Sequence, residues 1–350
     1  MTVYMTHGAK KNVGDYLIHS RARKLWEHVV PDLPIVSVPR WNSAPLPGDA
    51  GLLVLCGGPG FTPKMVEGVF PIVQDALDRG TPVAGFALGW QGLPARKPEA
   101  FAMTARSVAA LRAITRGGAP LSVRDDVTRD IAEMFGIEAV RTGCSAWYSI
   151  PHLGAPPQLG PETPRSIVYT TPALPDNADE SIAVMRMLRE KYPRAQMYAT
   201  FHRGIRADEQ TTEAQSAPLV AQAEAAAALG YEVVDVAYDL EKIGFYREID
   251  LHIGYRVHAH LDFVSRRRPS VLISEDGRGY GQTSALHGER KVLWAGHPIL
   301  VDKLDRRLSN EQKKGWPSLT QAVDVIDESY PMMREAILAQ AALRVAAPVS

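Results

Sequence analysis

The chain has 350 residues, 45% hydrophobic and 22% charged, the proportions of a soluble globular protein long enough for two cores. Lys plus Arg equals Asp plus Glu at 39 each, so no net charge points to nucleic acid or to a cationic membrane protein. Two cysteines without metal-type spacing argue against a disulfide framework, and no apolar run approaches the roughly 20 residues of a membrane span, so a cytoplasmic protein is expected.

Residues 1–6 read as a first strand. Strand-like runs then follow at 35–38, 51–56, 82–87, 120–123 and 138–141, the first of the series being centred on 3–6. Amphipathic stretches at 16–29, 66–79, 107–115 and 128–135 lie between them. Such alternation predicts an α/β fold with a parallel, doubly wound sheet. Residues 151–165 carry Pro151, Pro156, Pro157, Pro161 and Pro164, the composition of a linker. Alternation resumes with strands at 166–171, 196–201, 232–236, 251–253, 270–274 and a weaker 291–294, and helices at 179–190, 211–229, 255–267 and 318–345. The expected division is a Rossmann-like domain at 1–150, the linker, and a second Rossmann-like domain at 166–310 facing it across a cleft. A segment at 311–350 follows, whose long helix could pack back on the first domain.

In an open α/β sheet, ligands sit beyond the carboxyl ends of the strands, so those turns hold the candidate residues. After the first strand come Gly8, Asn12, Gly14 and Asp15; the glycines permit a tight turn, and Asn12 or Asp15 serves either a ligand or an N-cap. Gly57, Gly58 and Gly60 end the third strand, either as backbone donors for an oxyanion or as a plain turn. Arg124 follows the fifth strand, as a cleft cation or a surface side chain, with Asp125 and Asp126 at a helix start. His202 and Arg203 end the strand at 196–201.

The most informative turn is Gly254-Tyr255-Arg256-Val257-His258-Ala259-His260. Arg256 can clamp a carboxylate or phosphate through two parallel hydrogen bonds, and His258 can move a proton near neutral pH. The run Arg266-Arg267-Arg268 reads as a solvated helix end. Ser274 to Gly281 reads as a glycine-rich loop in which Arg278 holds a phosphate or is simply mobile. No HExxH, GxSxG or Cys/His cluster occurs, so neither a metal nor a resident cofactor is expected.

Taken together, these segments resemble the polysaccharide pyruvyl transferase family. The matching parts are Asn12-Val13-Gly14-Asp15, Gly57-Gly58-Pro59-Gly60, Ser122-Val123-Arg124-Asp125 with Thr128, and Gly254-Tyr255-Arg256-Val257-His258-Ala259, in the family's order over roughly residues 10 to 285. The resemblance implies two Rossmann-like domains arranged as in GT-B glycosyltransferases. It implies transfer of the enolpyruvyl unit of phosphoenolpyruvate, as co-substrate, onto sugar hydroxyls to give a pyruvate ketal in cell-surface or exopolysaccharide synthesis. Arg124 and Arg256 would bind the anion and His258 would be the general acid. The acceptor would be a sugar, a nucleotide sugar or a lipid-linked saccharide, the last bringing the enzyme peripherally to the inner face of the membrane.

Three departures stand out. Gln91 is displaced from the family's Gly-Gln-x-x-Gly-Pro stretch, Arg278 stands where a Lys is common, and Thr128 replaces the usual Ser. Two rival readings remain open from sequence: a GT-B nucleotide-sugar glycosyltransferase, with Glu275 or Asp276 on the ribose, and a non-catalytic sugar- or anion-binding relative.

Overall fold

The computed structural model describes residues 2–92 and 97–346, with side chains to residue 344. Met1, assigned above to the first strand, and residues 347–350, assigned to the C-terminal segment, lie outside the described residues. The first domain runs β1 (Thr2–His7), α1 (Val13–Val29), β2 (Ile35–Pro39), β3 (Ala50–Cys56), α2 (Ile72–Asp78), β4 (Val83–Phe86), α3 (Ala105–Arg116), β5 (Leu121–Val123), α4 (Asp126–Met134) and β6 (Ala139–Arg141). Its strands are parallel in the order β2-β1-β3-β4. The pair β5-β6 extends this sheet through a bridge between Leu88 and Val123.

The second domain runs β7 (Ser166–Thr170), α5 (Ala178–Lys191), β8 (Gln196–Phe201), α6 (Glu213–Ala228), β9 (Glu232–Asp235), β10 (Leu251–Gly254), α7 (Val257–Ser265), β11 (Ser270–Ser274), α8 (Gly277–His287), β12 (Leu293–Trp294) and α9 (Leu300–Lys313), before the long α10 (Pro317–Ala346). All six strands are parallel, ordered β9-β8-β7-β10-β11-β12. That is the doubly wound Rossmann order, in which the crevice opens where the strand order reverses. The reversal falls between β7 and β10 here, and between β1 and β3 in the first domain. Both crevices open onto the same cleft.

The strands predicted from sequence are all present, but three helical segments differ. The stretch at 66–79 is a short π-helical turn, Met65–Val69, and then α2, because Pro71 interrupts the helix between them. The supposed loop after β11 is the first turns of α8, whose Asp276 N-cap accepts from the Arg278 amide. Helix α9 had no counterpart above, although Leu300, Leu304 and Leu308 recur at helical spacing and are buried.

The domains share one core. A single apolar cluster joins Met5, Trp26 and Phe86 of the first domain to Trp147 and Tyr148, to Ile167 and Ile253 of the second, and to Ile326 and Ile337 of α10. Gln340 of α10 donates to the Gly85 carbonyl on β4 at 2.8 Å. Polar bonds also cross between the domains. The Val13 amide donates to the His202 carbonyl at 3.1 Å. Lys11 reaches Asp208 at 2.8 Å and Thr211 at 2.5 Å, and Arg21 reaches the fully buried Asp262 at 2.9 Å.

Gly254 sets the direction of the chain into α7. Its φ is +144°, and a Cβ there would sit 2.3 Å from the Thr170 carbonyl oxygen on β7. Gly254→Ala should therefore cost at least about 1–3 kcal/mol of stability through backbone strain alone. Denaturant titration checks this, and an unchanged midpoint would show that the turn relaxes freely.

Candidate functional site

The cleft is built where α1 and α7, the helices that follow β1 and β10, begin beside one another. Asn12 caps α1 by accepting from the Gly14 amide, so Val13, Gly14 and Asp15 are its first turn and not a loop. His258, in the first turn of α7, rests on Gly14. A Cβ at position 14 would lie 2.8 Å from the His258 Nδ1. Glycine is thus needed at position 14 for close approach.

One cavity is lined by Asn12, Gly14, His202, Arg256, His258 and Arg278, together with Ala173, Tyr255, Val257 and Glu275. Arg256 occupies the N-cap position of α7 without a side-chain capping bond. Its Nη2 donates to the Pro172 carbonyl at 2.8 Å, while Nε is buried with no partner. The His258 Nε2 is likewise buried and unpartnered. Burial lowers the Arg256 pKa to about 10, against the pull of Glu275 and with help from Arg203 and Arg278. Burial, then Arg124 and Arg278, push His258 down to about 3. The site therefore gathers arginines around a neutral imidazole.

Arg124 is buried under the first-domain side of the cleft. It donates to the Trp90 carbonyl at 2.7 Å and to Asp125 at 3.2 Å. A Cβ at Gly89 would fall 1.9 Å from its Nε, so Gly89 provides the space in which it lies. Asp125 caps α4, accepting from the Thr128 amide at 2.8 Å and from its hydroxyl at 2.6 Å. The same hydroxyl accepts from the Trp90 amide at 2.9 Å. Thr128 thus supplies the hydroxyl that a Ser would bring.

The other candidates fall around this centre. His202 is buried and bonds to the Tyr246 hydroxyl at 3.0 Å, with its pKa held well below the usual range by burial. Arg203 is exposed and is not among the residues lining the cavity. Arg278 donates from Nε and Nη2 to a single oxygen of Asp276, Oδ2, at 2.8 and 2.5 Å. Asp15, Gly57 and Gly58 line a small adjoining pocket with His7, His19 and Arg40. Burial raises the Asp15 carboxyl, opposed by Arg40. Gly60 stays inside the first domain, with Leu88 and Phe70 each 3.0 Å from where its Cβ would be. The Gly57 and Gly60 amides are spent on the Phe86 and Gly58 carbonyls.

Several neighbours were not singled out from sequence. Arg40 directly follows β2 and reaches the site because β2 lies beside β1. Tyr246 sits on a 3-10 helix, Leu240–Glu248, and contributes through its contact with His202. The acids proposed for a ribose are both committed inside the chain. Glu275 accepts from the Ala173 and Leu174 amides and from Asn177, and Asp276 holds Arg278. Among the described residues no group of acids, cysteines and histidines could hold a metal.

The fold and the cleft define a two-domain, GT-B-like α/β protein. Its likeness to solved structures is broad. With S. aureus MnaA bound to UDP it shares 11% identity at a TM-score of 0.57, over 96% of this chain and 94% of that one. With the Neisseria meningitidis UDP-GlcNAc 2-epimerase the identity is 8% at 0.56, over 97% and 100%. With a putative UDP-N-acetylglucosamine 2-epimerase from Listeria monocytogenes it is 10% at 0.52, over 96% and 94%. No curated protein matches the sequence. A family model for polysaccharide pyruvyl transferases matches residues 12–277, and the chain belongs to that family. It is a transferase of that family by descent. Among the described residues no helix is long and apolar enough to cross a membrane.

The buried imidazoles fix a pH dependence. His252 and His287 are held at about 3 and His19 at about 4, each chiefly by burial, alongside His258. An unfolded histidine titrates near 6.5, so between about 6.5 and 3 the unfolded chain binds protons that the folded chain refuses. Stability is then complete above pH 6.5 and is lost as pH falls. The Tm should drop steadily from pH 7 to pH 4; a flat profile would mean that these rings protonate in place.

Proposed function

We propose that the chain transfers the enolpyruvyl group of phosphoenolpyruvate to a saccharide acceptor and closes it into a pyruvate ketal. The observation that carries this reading is the convergence at one cavity of an unpartnered Arg256 Nε and an unpartnered His258 Nε2, with the charges of Arg124 and Arg278 beside them. A ligand with one carboxylate and one phosphate would offset those charges and satisfy those donors.

The neutral state of His258 explains how an acid arises there. Its low pKa is due in part to Arg124 and Arg278, and an anion between them removes that repulsion and favours the imidazolium. Donor binding would then draw a proton onto His258. Transfer of that proton to the methylene carbon of the donor makes a methyl group and leaves an oxocarbenium-like centre beside the carboxylate. An acceptor hydroxyl adds to it, the carbon–oxygen bond to phosphate breaks, and a second hydroxyl closes the ring. The two hydroxyl protons balance the one fixed in the methyl group and the one leaving on phosphate. Asp15, a carboxylate with a raised pKa in the adjoining pocket, is placed to receive a hydroxyl proton.

The acceptor is a sugar, a nucleotide sugar or a lipid-linked saccharide, and with the last the protein would work at a membrane surface. Because Glu275 and Asp276 are both occupied within the chain, the site supports the pyruvyl reading better than a nucleotide-sugar glycosyltransferase.

Calorimetric titration of phosphoenolpyruvate near pH 7, in buffers of different ionisation enthalpy, should show proton uptake on binding, and His258→Gln should abolish that uptake. Phosphate release with a competent acceptor should fall by roughly 10²–10⁴-fold in the same variant. Binding with no proton uptake would remove His258 as the acid. Arg256→Ala should weaken donor binding by 1.5–3 kcal/mol, about the worth of a charge-assisted hydrogen bond; unchanged affinity would place the anion elsewhere.

A further inference from the structure

A second group of cations lies outside this cleft. Helices α1 and α7 run away from it side by side, and at their far ends the domains enclose a cavity of about 440 Å³. Its cations are Arg21 and Lys24 from α1, Arg247 from the 3-10 helix, and Arg266 and Arg268 just beyond α7. Eight residues of helix rise separate His258 from Arg266, about 12 Å at 1.5 Å each, so this is a separate place.

The charges are poorly matched. Arg21 and Arg266 share one oxygen of Asp262, at 2.9 and 3.0 Å. The Arg266 Nη1 is buried with no partner. Arg268 spends one nitrogen on the Ile249 carbonyl at 2.9 Å. Lys24 and Arg247 are exposed at the mouth, where Glu241 is the lining carboxylate. Five cations therefore face one rim acid and one shared buried acid. The run Arg266-Arg267-Arg268 is not the solvated helix end that sequence suggested: Arg267 is fully buried and paired with Asp327, and the other two turn into this cavity. Burial together with Arg21, Arg247 and Arg268 lowers the Arg266 pKa, despite Asp262.

Cations brought together under partial burial without counter-charge cost stability, and that cost is recovered when a polyanion enters. The volume exceeds what a single phosphate fills and lies in the range of organic ligand sites. Leu17, Ile150, Leu240 and Ile243 add an apolar wall beside the charges.

We propose that this inter-domain cavity is a second binding site, for an organic ligand carrying a diphosphate or a larger phosphate chain. The diphosphate seats among Arg21, Arg247, Arg266 and Arg268, and the attached apolar or ring portion lies against the wall. Because Arg21 and Lys24 belong to one domain and the other cations to its partner, the ligand ties the domains together at the far ends of the two helices that form the donor site. The same chemistry is offered by a free nucleoside diphosphate and by a membrane polyprenyl diphosphate.

The test is calorimetric titration of inorganic tripolyphosphate at low ionic strength into the full chain carrying Arg256→Ala, which disables the donor cleft. One saturable site is expected, weakened at least about tenfold by the added pair Lys24→Glu and Arg247→Glu. These two side chains are exposed at the mouth, so the Tm without ligand should hold. No saturable binding, or binding indifferent to the charge reversals in a chain of unchanged Tm, overturns the site. Two further titrations separate the sources: a nucleoside diphosphate in solution, and phosphatidylcholine vesicles with or without polyprenyl diphosphate. Binding of the former assigns a soluble ligand, selective binding of the latter a lipid, and failure of both overturns an organic diphosphate as the occupant. Loss of phosphoenolpyruvate binding by the wild type would count against the donor site alone, so the two readings fail separately.

Discussion

The contact between Gly14 and His258 organises the molecule. Two helices from different domains begin at the same point, and each brings the positive end of its dipole there. Three arginines, Arg124, Arg256 and Arg278, add their charge to the same region. Left alone, such a point would push the domains apart. It is held closed by bonds that flank it, from Lys11 to Asp208, from the Val13 amide to His202, and from Gln282 to the Arg124 carbonyl and Trp147. Apolar packing behind it completes the closure. Arg124 and Arg278 are paired with Asp125 and Asp276, whereas Arg256 keeps a buried Nε without a partner, the donor on which the proposed anion site rests.

Burial chiefly decides the protonation state of His258, and the neighbouring arginines add to it. A histidine at the mouth of a helix would ordinarily titrate near neutrality. Here burial, then Arg124 and Arg278, keep it neutral. The proposed role of His258 as an acid that forms on donor binding rests on this electrostatic state, and it requires no moving part.

Much of this was legible in the sequence, and the limits have physical causes. Short continuous apolar runs between helical patterns gave away the parallel sheets, because buried parallel strands are apolar on both faces. Strand-end turns such as 254–258 stood out because Gly, Arg and His are poor choices for filling a core. The start of α8 was read as a loop since Gly277, Gly279 and Gly281 are weak helix formers. Its Asp276 cap and close packing override that propensity: a Cβ at Gly277 would lie 2.5 Å from Trp90, and one at Gly281 2.7 Å from Asp125. The role of Glu275 as a cap for residues 173–177 was hidden, since its partners lie about a hundred residues away. Arg40 was hidden for the same reason. Nothing local to a side chain announces which distant turn it will meet.

A two-domain protein with a ligand cleft is ordinarily expected to hinge. The apolar cluster running through both sheets and α10, and the buried Arg21–Asp262 pair beneath the cleft, oppose a wide opening here. Separating the domains would expose Trp147 and Tyr148 and take from the fully buried Asp262 its bond to Arg21, leaving Arg266 alone on that carboxylate. Small adjustments along the shared α1–α7 seam remain inexpensive. That seam carries cationic side chains at both proposed sites, the cleft at one and the arginine-lined cavity at the other. An anion at either would relieve repulsion between the same two helices, so occupancy of one would stiffen the frame on which the other is built.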